Sequence, residues 1–354
     1  MKPLNQRLLS WYDSHARILP WRVGPQEGKQ GIVADPYHVW LSEVMLQQTT
    51  VATVGPYFEK FVAKWPRIED LASSDVEDVM KAWAGLGYYS RARNLKACAV
   101  RIVEDYDGKF PHVAGELQKL PGIGPYTSAA IAAIAFGARE AVVDGNIERV
   151  STRHMANSTP LPQAKEDCRA FMAQVTPSDR PGDFVQAMMD LGATICTPRK
   201  PACALCPINQ DCRARIDQTE ENYPVKAPKK VKPTRLGAAY VALRSDGAIW
   251  LTKRPDKGLL GGMSGVPTTK WTASQNGALG AGAAPVCGNW VACGSIRHTF
   301  THFHLEMEVW TANIEALPGD GWWSGQEQIA GEALPTVMKK VISAVAADIF
   351  KVPA

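Results

Sequence analysis

The chain has 354 residues, of which 45% are hydrophobic and 21% charged, with a formal net charge of +4. A chain of this length can bury a large core and divides naturally into two domains, and this mix excludes global disorder. So small a positive excess excludes any argument for nucleic-acid binding from the total charge alone. No stretch approaches the ~18 apolar residues of a membrane helix. The N-terminal MKPLNQRLLSWYDSHARILPW has no apolar core of signal-peptide length. The expectation is a cytoplasmic monomer with no membrane partner.

Residues 1–222 read as helices joined by short turns. Residues 40–48 carry a wide apolar face with one carboxylate, Glu43, set among Val39, Trp40, Leu41, Val44, Met45 and Leu46. A carboxyl on so apolar a helix sits either at an exposed edge or out of water. Desolvation raises its pKa, so it can stay protonated at neutral pH and serve as a general acid. Residues 75–83 and 94–103 show the three-to-four-residue apolar spacing of amphipathic helices. The string LPGIGPYTSAA (120–130) is a glycine-rich turn entering a helix. Gly122 and Gly124 let a backbone come close, and amides at the helix start can hold a phosphate; a plain turn between helices fits a lone GxG equally well. Residues 129–136 read as a buried helix. In VVDGNIERV, Asp144 precedes a helix that either Asp144 or Asn146 can cap. Beside glycine and helix-start amides Asp144 stays ionised. Two carboxyls in different environments suit cleavage of an N-glycosidic bond: one protonates the leaving base, the other stabilises positive charge on the sugar.

Cys196, Cys203, Cys206 and Cys212 follow C-x6-C-x2-C-x5-C, and Pro198, Pro201 and Pro207 keep the segment from being a helix. Four thiolates in one tight loop suit a [4Fe–4S] cluster or zinc, and the spacing alone leaves both open. Cys98, Cys168, Cys287 and Cys293 read as core thiols. From 196 to 235 nine Lys or Arg face four Asp or Glu, a local net of +5. Residues 217–235 are rich in proline and charge and read as a linker. Beyond it the period changes. AAYVAL, the turn RSDG and AIWLTKR form a hairpin, residues 303–309 alternate as a half-buried strand, and Pro335 opens a helix bearing Val337, Val341, Val345 and Ile349. The second part is α+β.

The string LPGIGPYT and the cysteine spacing resemble those of the helix-hairpin-helix DNA glycosylases, which assigns the thiolate cage to a [4Fe–4S] cluster. Taken in order, LPW, VWLSEVMLQQT, GLGYYSRARNL, LPGIGPYTSAA, VDGN, QAMMDLGA and the cysteine loop, then KGLLGG and RHTFTHFH, resemble the adenine DNA glycosylase (MutY) family. The resemblance implies a mainly α, two-lobed helix-hairpin-helix glycosylase domain over 1–222, including the [4Fe–4S] loop 196–212. A basic proline-rich linker (223–235) and a C-terminal α+β Nudix-like lesion-recognition domain (236–354) follow. It implies a monofunctional base-excision-repair enzyme that flips out and removes adenine mispaired with 8-oxoguanine or guanine in double-stranded DNA. Repair or replication partners would use the linker.

By the same resemblance Glu43 is the general acid and Asp144 the carboxylate that stabilises the oxocarbenium ion, with Asn146 and Tyr126 assisting. Gln48 and Tyr88 fill the duplex or contact the lesion, and Phe300-Thr301-His302 is the lesion-reading loop. Three departures stand out. Val185 replaces an asparagine and removes a polar contact; Ser264 replaces an aromatic; Thr301 replaces a serine, keeping its hydroxyl and adding a methyl. No Asp or Glu occurs from 257 through 305, so the second domain lacks the clustered carboxylates of a metal-dependent Nudix hydrolase and is expected to bind rather than hydrolyse. Two other readings remain. An endonuclease III-type lyase needs an amine where Tyr126 stands, and a non-catalytic iron–sulfur redox module has no use for a desolvated acid.

Overall fold

The computed structural model describes residues 2–228, 231–255, 258–316 and 319–350. Lys229 and Lys230 of the expected linker, and Lys257 of KGLLGG, lie outside the described residues. The chain divides into two compact units, Met1–Ser74 with Asn94–Lys229, and Asp75–Arg93 with Lys230–Ala354.

The described elements of the first unit are helical. The Pro36–Leu46 helix starts where Asp35 accepts a hydrogen bond from Tyr37 N (2.8 Å), with Pro36 at the first helical position. It buries every residue from Val39 to Met45, so it is a central helix rather than one with a single apolar face. The Pro125–Phe136 helix is also buried nearly all round; it begins at Gly124-Pro125 and ends at Gly137, whose φ of 66° suits the left-handed C-cap. It packs on Pro36–Leu46 and on Pro181–Thr194. Gly182 permits the second contact: a Cβ there would lie 2.5 Å from the Ala133 carbonyl oxygen. The Gly145–Met155 helix rests on the other end of Pro181–Thr194, where a Cβ on Gly192 would come within 2.6 Å of Asn146 Cβ. The core between these helices holds Leu8, Tyr12, Ala130, Ile147, Phe184 and Met188, each large apolar side chain contributing roughly 1.5–3 kcal/mol on burial. Val185 lies fully buried in that apolar core.

Within 196–212 the regular structure is two short 3-10 turns, Cys203–Leu205 and Asn209–Asp211, as the prolines dictate. Among the described residues, regular contacts reach into both ends of the expected linker. Val225 O accepts from Leu161 N (2.9 Å), and β1 already begins at Thr234.

The second unit is built on a sheet of β1 (Thr234–Leu243), β2 (Ile249–Lys253), β3 (Ser264–Gly265), β4 (Val291–Thr299), β5 (His304–Asn313) and β6 (Trp322–Ser324). Their order is β3-β2-β1-β5-β4, with β6 on β2. The β1–β2 hairpin is antiparallel as the sequence implies, and β1 runs parallel to β5. Alternation sends Ala239, Val241, Leu305, Met307 and Val309 to one core and Ala238, Tyr240 and Trp250 to another. The Thr336–Val345 helix covers the first with Val337, Met338, Val341 and Ile342. It ends before Ile349, which packs on the same core from beyond the helix. Cys98 and Cys168 are buried and Cys293 is half-buried against the sheet core, but Cys287 is exposed and so is not a core thiol.

Segment Asp75–Arg93 belongs to this second unit. Glu77 pairs with Lys253 (2.6 Å), and the Arg93 guanidinium donates to the Gly261 carbonyl. Ser264 sits in β3 and donates to Glu332 Oε2 (3.3 Å), while Trp322 Nε1 donates to Glu332 Oε1 (2.8 Å). A small polar network thus stands where an aromatic was expected.

Candidate active site

Glu43 projects from the buried Pro36–Leu46 helix, and only 7% of its surface is exposed. Tyr126, second residue of the facing Pro125–Phe136 helix, donates its hydroxyl to Glu43 Oε2 at 2.7 Å. Burial pushes the Glu43 carboxyl up to about 7; the Tyr126 hydrogen bond and the charge of Arg22 oppose the rise, and nearby Asp144 adds to it. Burial also raises the Tyr126 phenol well above its ordinary value, so it remains a donor.

Asp144 caps the Gly145–Met155 helix, its Oδ1 accepting from Ile147 N (2.7 Å). Its Oδ2 accepts from Asn146 Nδ2 (2.9 Å). Burial raises this carboxyl too, a direction the sequence did not suggest, against the lowering by Ile147, Asn146 and Arg149. The sequence therefore placed Glu43, Tyr126, Asp144 and Asn146 in one neighbourhood, and the fold brings them together.

Five residues that sequence reasoning passed over complete the surroundings. Asp190 is fully buried and accepts from Arg17 Nε (2.7 Å) and Arg22 Nη1 (2.8 Å), which carries Arg22 into the field of Glu43 and Tyr126. Arg149 donates to Asn146 Oδ1 (2.9 Å), Gly192 O (2.6 Å) and Cys196 O (2.7 Å). One turn later Arg153, 2% exposed, donates to Cys196 Sγ (3.3 Å), Thr197 O (2.7 Å) and Pro198 O (3.0 Å). Two arginines four apart, starting five residues after Asp144, were the available signal; nothing local showed that both turn inward.

Gln48 follows the end of the Glu43 helix with φ 61°, and Tyr88 has φ 48°. Both occupy the left-handed region that non-glycine residues rarely adopt, a type of strain that clusters at functional sites. Gly122 (φ 76°) approaches Asn94 closely, since a Cβ there would lie 2.7 Å from Asn94 Cβ; Gly124 caps the next helix and faces open space. In the second unit, residues 300–303 join β4 to β5. Phe300 stacks on Phe303 (centroids 4.8 Å apart), its carbonyl accepts from Lys232 Nζ (3.0 Å), Thr301 Oγ1 lies 3.1 Å from the Tyr88 hydroxyl, and His302 is exposed.

An adenine DNA glycosylase from Homo sapiens is 37% identical over 94% of this chain and 72% of its own length. The chain belongs to the adenine DNA glycosylase family. A relative of the same name from Buchnera aphidicola (Schizaphis graminum) is 30% identical over 98% of both chains. Residues 41–176 match the HhH-GPD superfamily base excision DNA repair proteins, 196–212 the iron–sulfur binding domain of endonuclease III, and 238–344 the NUDIX domain. A thermostable thymine-DNA glycosylase of known structure matches 60% of this chain and 95% of its own, at 30% identity and a TM-score of 0.53. The family's helical glycosylase domain, its iron–sulfur loop and its Nudix-like domain are thus all present.

The cysteine loop fits the [4Fe–4S] cluster that this family's motif carries. Burial raises the Cys206 thiol to about 12, and Cys196, Cys212 and Cys203 add to the rise, so the four thiols lie within one another's field. Thiols that resist ionising alone are stabilised as thiolates by a cationic centre. Cys196, Cys203, Cys206 and Cys212 would hold it.

Proposed function

We propose that this chain hydrolyses the N-glycosidic bond of adenine mispaired with 8-oxoguanine or guanine, with Glu43 as general acid and Asp144 as the stabilising carboxylate. Removal of adenine in base-excision repair is the reaction of the family, and the chain acts on DNA. The observation that carries the assignment is the pairing of a desolvated Glu43, pushed to about 7, with an Asp144 whose oxygens accept two N–H bonds.

Inside a duplex the glycosidic bond is shielded, so the adenine nucleotide must leave the stack, at a cost of a few kcal/mol. Gln48 and Tyr88, held in strained backbone, fill or brace the gap. Tyr126 occupies Glu43 Oε2, so the proton for adenine N7 rides on Oε1. As the base departs, positive charge develops on the sugar. Asp144 faces that charge, kept in place by Ile147 N and Asn146, and a water completes hydrolysis. Cys196, Cys203, Cys206 and Cys212 would hold the cluster, which when bound would fix the 196–212 loop, where Arg199 and Lys200 meet phosphates.

Tyr126 stands where a lyase would carry its amine, so the enzyme is monofunctional. The Nudix-like unit reads 8-oxoguanine through Phe300, Thr301 and His302 and does not hydrolyse nucleotides. We further assign a catalytic domain in 1–222, a connection in 223–235 whose last residues already enter β1, and a lesion-recognition domain in 236–354 that folds with Asp75–Arg93, together with a monomer in the cytoplasm and partners that grip the linker.

Glu43→Gln should lose about 10²–10⁴-fold in single-turnover adenine release while keeping DNA affinity. A loss under tenfold would remove Glu43 from its role. Borohydride should trap little protein–DNA adduct with the wild type; strong trapping would overturn the monofunctional assignment.

A further inference from the structure

The turn that bears Tyr88 is unusually bent. Gly85, Gly87 and Tyr88 have φ of 110°, 70° and 48°, three positive values within four residues. Such a backbone stays in one shape only when its surroundings over-determine it. Here the surroundings converge on one side chain. Arg91 Nη2 donates to Leu86 O and to Gly87 O, both at 3.1 Å, while Arg91 N donates to Tyr88 O at 2.9 Å. Its guanidinium lies over the Trp83 ring (5.1 Å) and the Tyr88 ring (5.7 Å), and Trp83 Nε1 also donates to Gly87 O (3.1 Å). Only 8% of Arg91 is exposed. At the far end of Tyr88, the hydroxyl meets Thr301 Oγ1 at 3.1 Å.

We propose that Arg91 is a positioning residue for lesion recognition: its Nη2, shared between the Leu86 and Gly87 carbonyls, locks the 86–88 turn and its cation holds the Tyr88 ring, delivering the Tyr88 hydroxyl to Thr301. Lysine is a poor replacement, because a compact ammonium can share two carbonyls but offers no planar cation to lie over both the Trp83 and Tyr88 rings. The inference rests on the reading of Tyr88 and Thr301 as lesion contacts.

The test is single-turnover adenine release from duplexes with adenine opposite 8-oxoguanine and opposite guanine, for wild type, Arg91→Met, Arg91→Lys, Tyr88→Ala and Arg91→Met/Tyr88→Ala. Visible cluster absorbance and Tm identify the folded variants, and Arg91→Lys serves should Arg91→Met not fold. The readout is the ratio of the two rates, which a general loss of stability lowers in both terms alike. Arg91→Met and Tyr88→Ala should each cut the ratio roughly tenfold, the size of one good base contact, and the double variant should fall no further. Arg91→Lys should lie nearer Arg91→Met than wild type. A normal ratio in Arg91→Met beside a reduced one in Tyr88→Ala overturns the role of Arg91 alone. Multiplicative losses in the double variant show Arg91 acting elsewhere and also overturn it. A normal ratio in Tyr88→Ala instead removes the lesion-contact reading of Tyr88, and the role of Arg91 with it.

Discussion

Glu43 and Asp144 are both buried carboxyls, and their hydrogen bonds separate them. Glu43 accepts from one phenol, whereas Asp144 accepts from Ile147 N and Asn146 Nδ2 with Arg149 nearby. Because Glu43 rises from 4.5 to about 7 on folding, the folded chain holds that proton more tightly than the unfolded one. Its contribution to stability is complete below pH ~4.5 and is lost as pH rises through about 7. Glu43→Gln should therefore have a higher Tm than wild type at pH 8 and nearly the same Tm at pH 4.5, a difference of about 1–3 kcal/mol in unfolding free energy. The acid form drives excision, so the single-turnover rate should decline as pH passes about 7. Tyr126→Phe removes a hydrogen bond that lowers Glu43, so that decline should move to higher pH. A pH profile that stays put would mean Tyr126 does not set the acidity of Glu43.

Among the elements, the Gly145–Met155 helix does two tasks. Its first residues fix Asp144 and Asn146, and its later arginines fasten the cysteine loop. Arg153→Met deletes donors to Cys196 Sγ, Thr197 O and Pro198 O and so removes three ties between this helix and the cysteine loop. Iron should fall below about four per chain after dialysis against a chelator, whereas wild type keeps its complement. Equal retention would show that the thiolates alone secure the loop. Much at this scale could be read in the sequence. Asp144 before a helix, Glu43 amid apolar neighbours and the Phe303–Val309 alternation each carry a local signature that the structure matches. β4 carries none, since six of its nine residues are exposed and the other three only partly buried, so no alternating buried face appears. The complete burial of 39–45 was also hidden, because periodicity reports one apolar face and this helix has no polar one.

At the scale of the whole molecule the unexpected feature is the membership of Asp75–Arg93. Motif order assigns GLGYYSRARNL to the helical domain, yet this segment clusters with Lys230–Ala354, tied by Glu77–Lys253 and Tyr88–Thr301. Local sequence cannot reveal such a pairing, because its partners lie more than 170 residues away. Removing residues 231–354 should thus do more than abolish lesion preference. Backbone amides over 76–92 should exchange with deuterium much faster in the truncated chain, while those over 125–155 keep their protection. Unchanged protection over 76–92 would show that this segment holds its shape without the second unit.

Since Asp75–Arg93 is spliced into the middle of one unit while folding with the other, a nick in the 226–231 connection does not separate the protein into independent halves. The N-terminal piece retains part of the second unit's fold, so the two pieces should elute together from a sizing column and part only in denaturant. The polypeptide is stitched through both bodies, and its visible linker is only one of the threads.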